Sequence, residues 1–152
     1  MSNALFWAQA IKAERVLRSA TGEGKIAFIH PADIADIALH ALTTRDLRGE
    51  AVVITGPRAL SYAEMADVIG AAIGKRIRFV PISDGEASFG SDAYAAALTD
   101  IWRAIREGRV TTVTDEVQRI LGREPYSFNQ WVSENINEFA APGRLPGKRA
   151  QS

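Results

Sequence analysis

Apolar and polar positions change their period along the chain. Residues 26–29 are a short apolar run around Phe28, of a length that suits a buried strand. Residues 52–54 are a second such run. Residues 76–82 alternate basic side chains with Ile77 and Phe79, as a strand near a sheet edge does. Between these runs the spacing is helical. Ile34, Ile37, Ala38, Ala41 and Leu42 fall on one face, and so do Tyr62, Met65, Ala66, Ile69, Ala72 and Ile73. The stretch 25–82 therefore predicts β-α-β-α-β, the pattern of an α/β layer.

The boundaries agree with this reading. Pro31 suits a first helical turn, where its missing N–H costs nothing, and Asp33 falls at the positive end of the same helix. Thr55-Gly56-Pro57 is a turn. Ser61-Tyr62-Ala63-Glu64 has the spacing of a capping box, and Gly74 stops the helix it opens.

The flanks add shorter elements. Ser2 and Asn3 are plausible caps, and Leu5, Ala8 and Ile11 share a face, which predicts a helix over 4–12. Residues 15–18 extend that helix or turn into a strand. If Val16-Leu17 is a strand, the turn-rich loop 19–24 makes a hairpin with 26–29. Residues 83–91 are small and polar and read as a mobile loop or a weak helix start. A helix is predicted over 92–107, with Leu98, Ile101, Trp102 and Ile105 in its stripe and Gly108 as its cap. Residues 110–113 are β-prone. A short helix follows with Val117, Ile120 and Leu121 facing in. Ser127-Phe128-Asn129-Gln130 is a second capping box, and the helix behind it places Phe128, Trp131, Val132, Ile136 and Phe139 for burial. Residues 1–140 thus form one domain. Residues 141–152 lack periodicity and are expected to be a disordered tail.

Composition narrows the function classes. With 47% apolar and 24% charged residues, the 152-residue chain is ordinary for a soluble globular domain. Eighteen basic residues balance eighteen acidic ones, which argues against a nucleic-acid binder that works by neutralising phosphates. No apolar run approaches the roughly 20 residues that cross a bilayer. The N-terminus lacks the layout of a signal peptide, so a cytoplasmic location is the default expectation. The absence of cysteine excludes disulfides, thiolate metal sites and cysteine nucleophiles. With only His30 and His40, no metal site is expected.

Candidate chemistry is sparse. No G-x-G-x-x-G follows a strand, no G-x-x-x-x-G-K-[ST] occurs, and Gly22-x-Gly24 precedes a strand rather than a helix. Tyr62, Tyr94 and Tyr126 are followed four residues on by Ala66, Leu98 and Gln130, so there is no Tyr-x-x-x-Lys pair. No G-x-S-x-G elbow is present. His30 lies where a strand ends and a helix begins, the crevice position of open α/β sheets. It has two readings there, a proton relay or a structural residue bonded to nearby backbone. Asp33 reads as a helix-start residue or a base. Asn3 and Trp7 are candidates to line a pocket, with core packing the alternative for Trp7. Trp102 and Trp131 read as core. The 83–91 loop is a candidate lid.

Several segments together resemble a known family. They are Met1-Ser2-Asn3-Ala4-Leu5, the run from Gly24 through His30-Pro31-Ala32-Asp33 to Ala35, and Ile54-Thr55-Gly56-Pro57 with Leu60-Ser61-Tyr62-Ala63-Glu64. Ile105-Arg106-Glu107-Gly108, Gly122-Arg123-Glu124-Pro125 and Ser127-Phe128-Asn129-Gln130-Trp131 continue the series. The set looks like the C-terminal portion of NmrA-like, NAD(P)-binding members of the atypical short-chain dehydrogenase/reductase family. The resemblance implies the C-terminal half of a Rossmann-type fold, with a few mostly parallel strands and surrounding helices. The glycine-rich half that holds the cofactor would precede it, on the order of a hundred residues or more, and Met1 would be an internal methionine.

By that resemblance Asn3 would meet the cofactor, and Trp7, His30 and Phe89 would meet the substrate. No catalytic residue is assigned. The longer parent would use NAD(P)H to reduce a small carbonyl or quinone-like acceptor, whereas the isolated chain would hold no dinucleotide. Some members of the family sense the cofactor without turning it over. The rival reading is a non-enzymatic module that covers the open edge of strands 26–29, 52–54 and 77–80 by forming a homo-oligomer. Neither reading calls for a nucleic acid or a membrane.

Overall fold

The first strand, β1 (Val16–Ser19), pairs in parallel with β4 (Arg78–Pro81), from Val16 beside Arg78 to Ser19 beside Pro81. The computed structural model describes residues 1–87 and 92–140. A parallel pair needs a long crossover, and the chain between the two strands supplies it. Along it lie β2 (Lys25–Ile26), α2 (Pro31–Thr43), β3 (Leu60–Ser61) and α3 (Tyr62–Ile73). Before β1 comes a 3₁₀ turn (Ser2–Trp7) that runs into α1 (Ala8–Glu14). After β4 come α4 (Asp92–Arg106), α5 (Glu116–Leu121), α6 (Phe128–Glu134) and α7 (Ile136–Phe139). The result is a mixed α/β fold with a parallel strand pair and surrounding helices.

Helix α3 is the centre of the packing. Its buried stripe is Tyr62, Met65, Ala66 and Ile69, as the spacing predicts. One side of it meets β1 and β4, the other meets α6 and α7. The core joins Ile11, Leu17, Met65, Ile69 and Ile77 to Ile105, Phe128, Trp131, Val132 and Phe139. Ser61 and Glu64 form the expected capping box, with Glu64 N–H donating to Ser61 Oγ at 3.1 Å and Ser61 N–H donating to Glu64 Oε2 at 2.7 Å. Ser127 and Gln130 repeat it on α6. Gly74 and Gly122 end α3 and α5 in the left-handed conformation that glycine adopts without strain.

The structure corrects the strand plan. No hairpin joins β1 to residues 26–29. Arg15 turns the chain at φ 55°, and the Arg78 N–H then donates to its carbonyl at 2.9 Å, which commits residues 16–19 to β4. Of the run 26–29, only Ile26 lies in a strand, and β2 pairs antiparallel with β3 through Lys25 beside Ser61. The Ile29 carbonyl is taken instead by the Met1 ammonium at 2.7 Å. Among the described residues, 52–54 and 110–113 form no strand. Residues 84–87 are a turn, and the expected tail at 142–152 lies outside the described residues.

The largest correction concerns α2. Of its predicted apolar face only Ile37 is buried: Ile34 is 46% accessible, Leu42 85%, and Ala38 and Ala41 are exposed, as is Leu39 at 61%. Its buried positions are Asp33 and Ile37, and the helix packs chiefly on α5. No helix among the described residues is long and apolar enough to cross a membrane.

Candidate functional site

The segment from Ile26 to His30 connects the elements that carry the predicted site residues. The Met1 ammonium donates to Ile29 O, so the 3₁₀ turn is drawn against this segment. Tyr62 is the first residue of α3, and Ser61 caps the helix beneath it. Its ring meets Trp7 at 4.7 Å between centroids and Phe28 at 6.2 Å, both tilted. These separations are typical of favourable aromatic pairs. Trp7 and Phe28 are half-buried, while Tyr62 is buried. Burial pushes the Tyr62 phenol up from 10.0 to about 12, so it keeps its proton further into the alkaline range.

Beside this wall, a cavity of about 30 Å³ is lined by Met1, Ile26, Phe28, Arg58, Leu60 and Phe128, among others. It has room for a water and not for a substrate. On the outer side of the 3₁₀ turn, Asn3 is exposed and Phe6 is 79% accessible.

His30 is turned away from the aromatic wall. It is buried and serves as the N-cap of α2, with Nδ1 accepting from the Ala32 N–H at 3.1 Å. The ring proton is therefore on Nε2, which donates to Glu134 Oε2 at 3.1 Å. Its ring lies 5.0 Å from that of Tyr126. One nitrogen thus caps α2 and the other ties that cap to α6.

The neighbouring Asp33 is fully buried. It accepts from Arg123 Nη1 at 2.7 Å and from the Tyr126 N–H at 3.0 Å. Arg123 also donates to Asp36 at 2.6 Å, and its guanidinium lies 4.3 Å from the Tyr126 ring centre. These bonds give Asp33 a second role beyond the helix start.

Of the predicted site residues, the structure draws Asn3 and Trp7 onto one turn and ties that turn to the segment ending at His30. It does not bring the His30 ring to Trp7. Phe89 lies outside the described residues. Tyr62, Phe28, Arg123 and Tyr126 were not among the candidates. Tyr62 read only as part of a helical stripe, and nothing local signals that Trp7 will stack on it.

Gly24 and Gly56 form no phosphate cradle. A Cβ on Gly24 would overlap the Ile105 carbonyl, and one on Gly56 would overlap the Phe28 carbonyl. Both glycines admit another backbone, not a ligand. Among the described residues no cluster of His, Asp and Glu is placed to hold a metal ion. Gly24 and Gly56, filled by backbone, therefore do not fit the pyrophosphate of a dinucleotide.

No family model matches the chain. It is 38% identical over 130 residues to the uncharacterized oxidoreductase YesF of Bacillus subtilis, which covers 82% of this chain and 46% of the relative. It is 31% identical over 147 residues to an NAD(P)H azoreductase of Xenophilus azovorans, covering 93% of this chain and 51% of the relative. Among solved structures, an NADPH-dependent quinone oxidoreductase of Escherichia coli superposes with a TM-score of 0.80 at 23% identity, over 90% of this chain and 52% of that one. The fold is thus that of Rossmann-like NAD(P)-binding reductases, and the chain spans about half the length of the relatives it matches.

Proposed function

We propose that this chain is the substrate-side, C-terminal portion of an NAD(P)H-dependent reductase of the NmrA-like type. Its parent would reduce a small carbonyl or quinone-like acceptor. The observation that carries this reading is the match to an oxidoreductase and to an NAD(P)H azoreductase, over 82% and 93% of the chain at 38% and 31% identity. The geometry supports a division of labour. Gly24 and Gly56 receive backbone rather than a phosphate, which supports a dinucleotide held by residues outside this chain.

The chain's own contribution is the aromatic wall. Trp7, Tyr62 and Phe28 offer an apolar wall of mutually tilted rings against which an aromatic acceptor can be oriented. The Tyr62 phenol, neutral at physiological pH, is a hydrogen-bond donor at that surface. Asn3 is assigned to the cofactor side, on the turn that leads to Trp7. His30 acts as a positioning residue that fixes the start of α2 behind the wall.

Calorimetric titration with NADPH tests the division. The 152-residue chain is expected to give no saturable binding, and a parent protein containing it is expected to oxidise NADPH with a quinone. Saturable micromolar binding by the chain alone would overturn the assignment of the cofactor to other residues. A parent that binds NADPH but reduces no acceptor would point to a sensor instead.

A further inference from the structure

We propose that Asp84-Gly85 is a modification site, at which the aspartate rearranges spontaneously to isoaspartate, and that the grip of Arg106 on Asp84 sets the rate. The proposal does not depend on the function proposed above.

The sequence singles out the pair. Asp84 is the one aspartate of the chain that a glycine follows, and no asparagine precedes a glycine. With no side chain on the following residue, its backbone nitrogen is free to swing onto the aspartate side chain. The structure leaves room for this. A Cβ placed on Gly85 would meet nothing within 4 Å. Gly85 is exposed, and its N–H makes no hydrogen bond among the described residues. Its neighbours are held. Glu86 Oε2 accepts from the Ser83 N–H at 2.8 Å and from the Ser83 hydroxyl at 2.7 Å. Ala87 is buried in a cluster with Ala20 and Trp102. Gly85 is thus the open link of a turn that is fixed on both sides.

Asp84 itself is held by Arg106, the last residue of α4. Arg106 Nη1 donates to Asp84 Oδ1 at 2.7 Å and Nη2 to Oδ2 at 3.0 Å, a two-point fork. Nη1 also donates to the Ala20 carbonyl. One guanidinium therefore ties together the turn, the end of α4 and the loop after β1. The fork holds the Asp84 carboxyl below the usual carboxylate range, and Arg103 on the same helix adds to this. Glu107 is the other acid that acts on Arg106.

The chemistry makes that hold decisive. The Gly85 nitrogen attacks Asp84 Cγ. A C–N bond forms, the bond from Cγ to its protonated oxygen breaks, and a water leaves with the amide proton. The cyclic imide then takes up a water. Opening at Cγ restores aspartate. Opening at the original peptide carbon leaves the main chain running through the side chain, as isoaspartate. An ionised carboxylate has no hydroxyl to lose, and ring closure takes Cγ out of the fork. Arg106 opposes both. In isoaspartate the carboxylate sits on Cα and the main chain is a methylene longer, so the fork is not rebuilt and the turn is released from α4.

The 152-residue chain and its Arg106→Gln, Arg106→Lys and Gly85→Ala variants are incubated at mildly acidic pH, both folded and in guanidinium chloride, with circular dichroism reporting the fold. Isoaspartate at position 84 is counted in the tryptic peptide 79–103 by electron-transfer fragmentation. In the folded chain Arg106→Gln is expected to raise the rate roughly three- to tenfold. Arg106→Lys, which keeps the charge and loses the fork, is expected to fall between. In guanidinium chloride the wild type and both Arg106 variants should convert at one rate, above that of the folded wild type, and Gly85→Ala should suppress conversion in either state. Equal rates in the folded wild type and a folded Arg106 variant, or a folded wild type as fast as the unfolded one, would overturn the role of the fork. No isoaspartate in guanidinium chloride, or a Gly85→Ala chain that converts as fast as the wild type, would overturn the site. The isoaspartate fraction is expected to exchange its amide hydrogens at 84–87 faster than the aspartate fraction, and equal exchange would overturn the release of the turn.

Discussion

Asp33 and Arg123 are in contact at 2.7 Å, with the carboxylate fully buried on α2 and the guanidinium reaching in from the turn before α6. Removing one member of a buried pair leaves the other charge without compensation. Arg123→Ala is expected to lower the unfolding free energy by about 3 kcal/mol. Asp33→Ala combined with Arg123→Ala should recover part of that loss, because no lone charge remains. Denaturant unfolding of the two single variants and the double variant measures the coupling. Strict additivity would mean that the pair contributes nothing as a pair.

His30 distinguishes a cap from a chemical group. Its Nδ1 accepts from Ala32 N–H, the work asparagine does well at the same position. His30→Ala is expected to cost about 1–2 kcal/mol, and His30→Asn less than about 0.5 kcal/mol. Thermal melts of the isolated chain decide this. In a parent enzyme His30→Asn should retain activity, and a loss of turnover with intact stability would show that the ring does more than position α2.

Tyr62 gives the chain an alkaline limit. Its phenol titrates near 12 in the folded state against an ordinary 10.0, so the folded chain keeps a proton that the unfolded chain releases. Below pH 10 the group contributes no pH dependence. Between about 10 and 12 stability falls as pH rises, by about 2 kcal/mol at the top of that interval. Tyr62→Phe should flatten this limb while leaving stability near neutral pH close to that of the parent sequence. Denaturant midpoints measured across the alkaline range, with tyrosinate absorbance as a second probe, check both parts.

Gly24 and Gly56 test what the glycines are for. A Cβ at either position would overlap a carbonyl of this chain, Ile105 or Phe28. Gly24→Ala and Gly56→Ala are therefore expected to destabilise the isolated chain by about 1–3 kcal/mol, because backbone must move to admit the methyl. If either glycine served a ligand instead, its alanine variant would melt as the wild type does.

What could be read from the sequence was what is local. The Ser61–Glu64 and Ser127–Gln130 boxes, the glycine stops at 74 and 122, and the buried stripe of α3 depend on neighbours within a turn or two. Strand partners do not. Val16-Leu17 had a candidate mate across a short loop, but the ladder formed with Arg78–Pro81, where α3 packs against both strands at once. The candidate site divided in the same way. Trp7 and His30 stood out by residue type and position. That Tyr62 would pack against Trp7, and that the His30 ring would turn to Glu134, followed only from where α3 and α6 came to rest.

By itself, then, the sequence determined the α/β class, the two capping boxes with the helices they open, and the face of α2 that is apolar. It did not determine what covers that face. Periodicity records which side of a helix shuns water, because side-chain hydration is a property of each residue. Whether that side is buried is a property of the neighbours. Only the tertiary structure showed that, within the described residues, Asp33 is the side of α2 turned inward and Leu42 the side turned out.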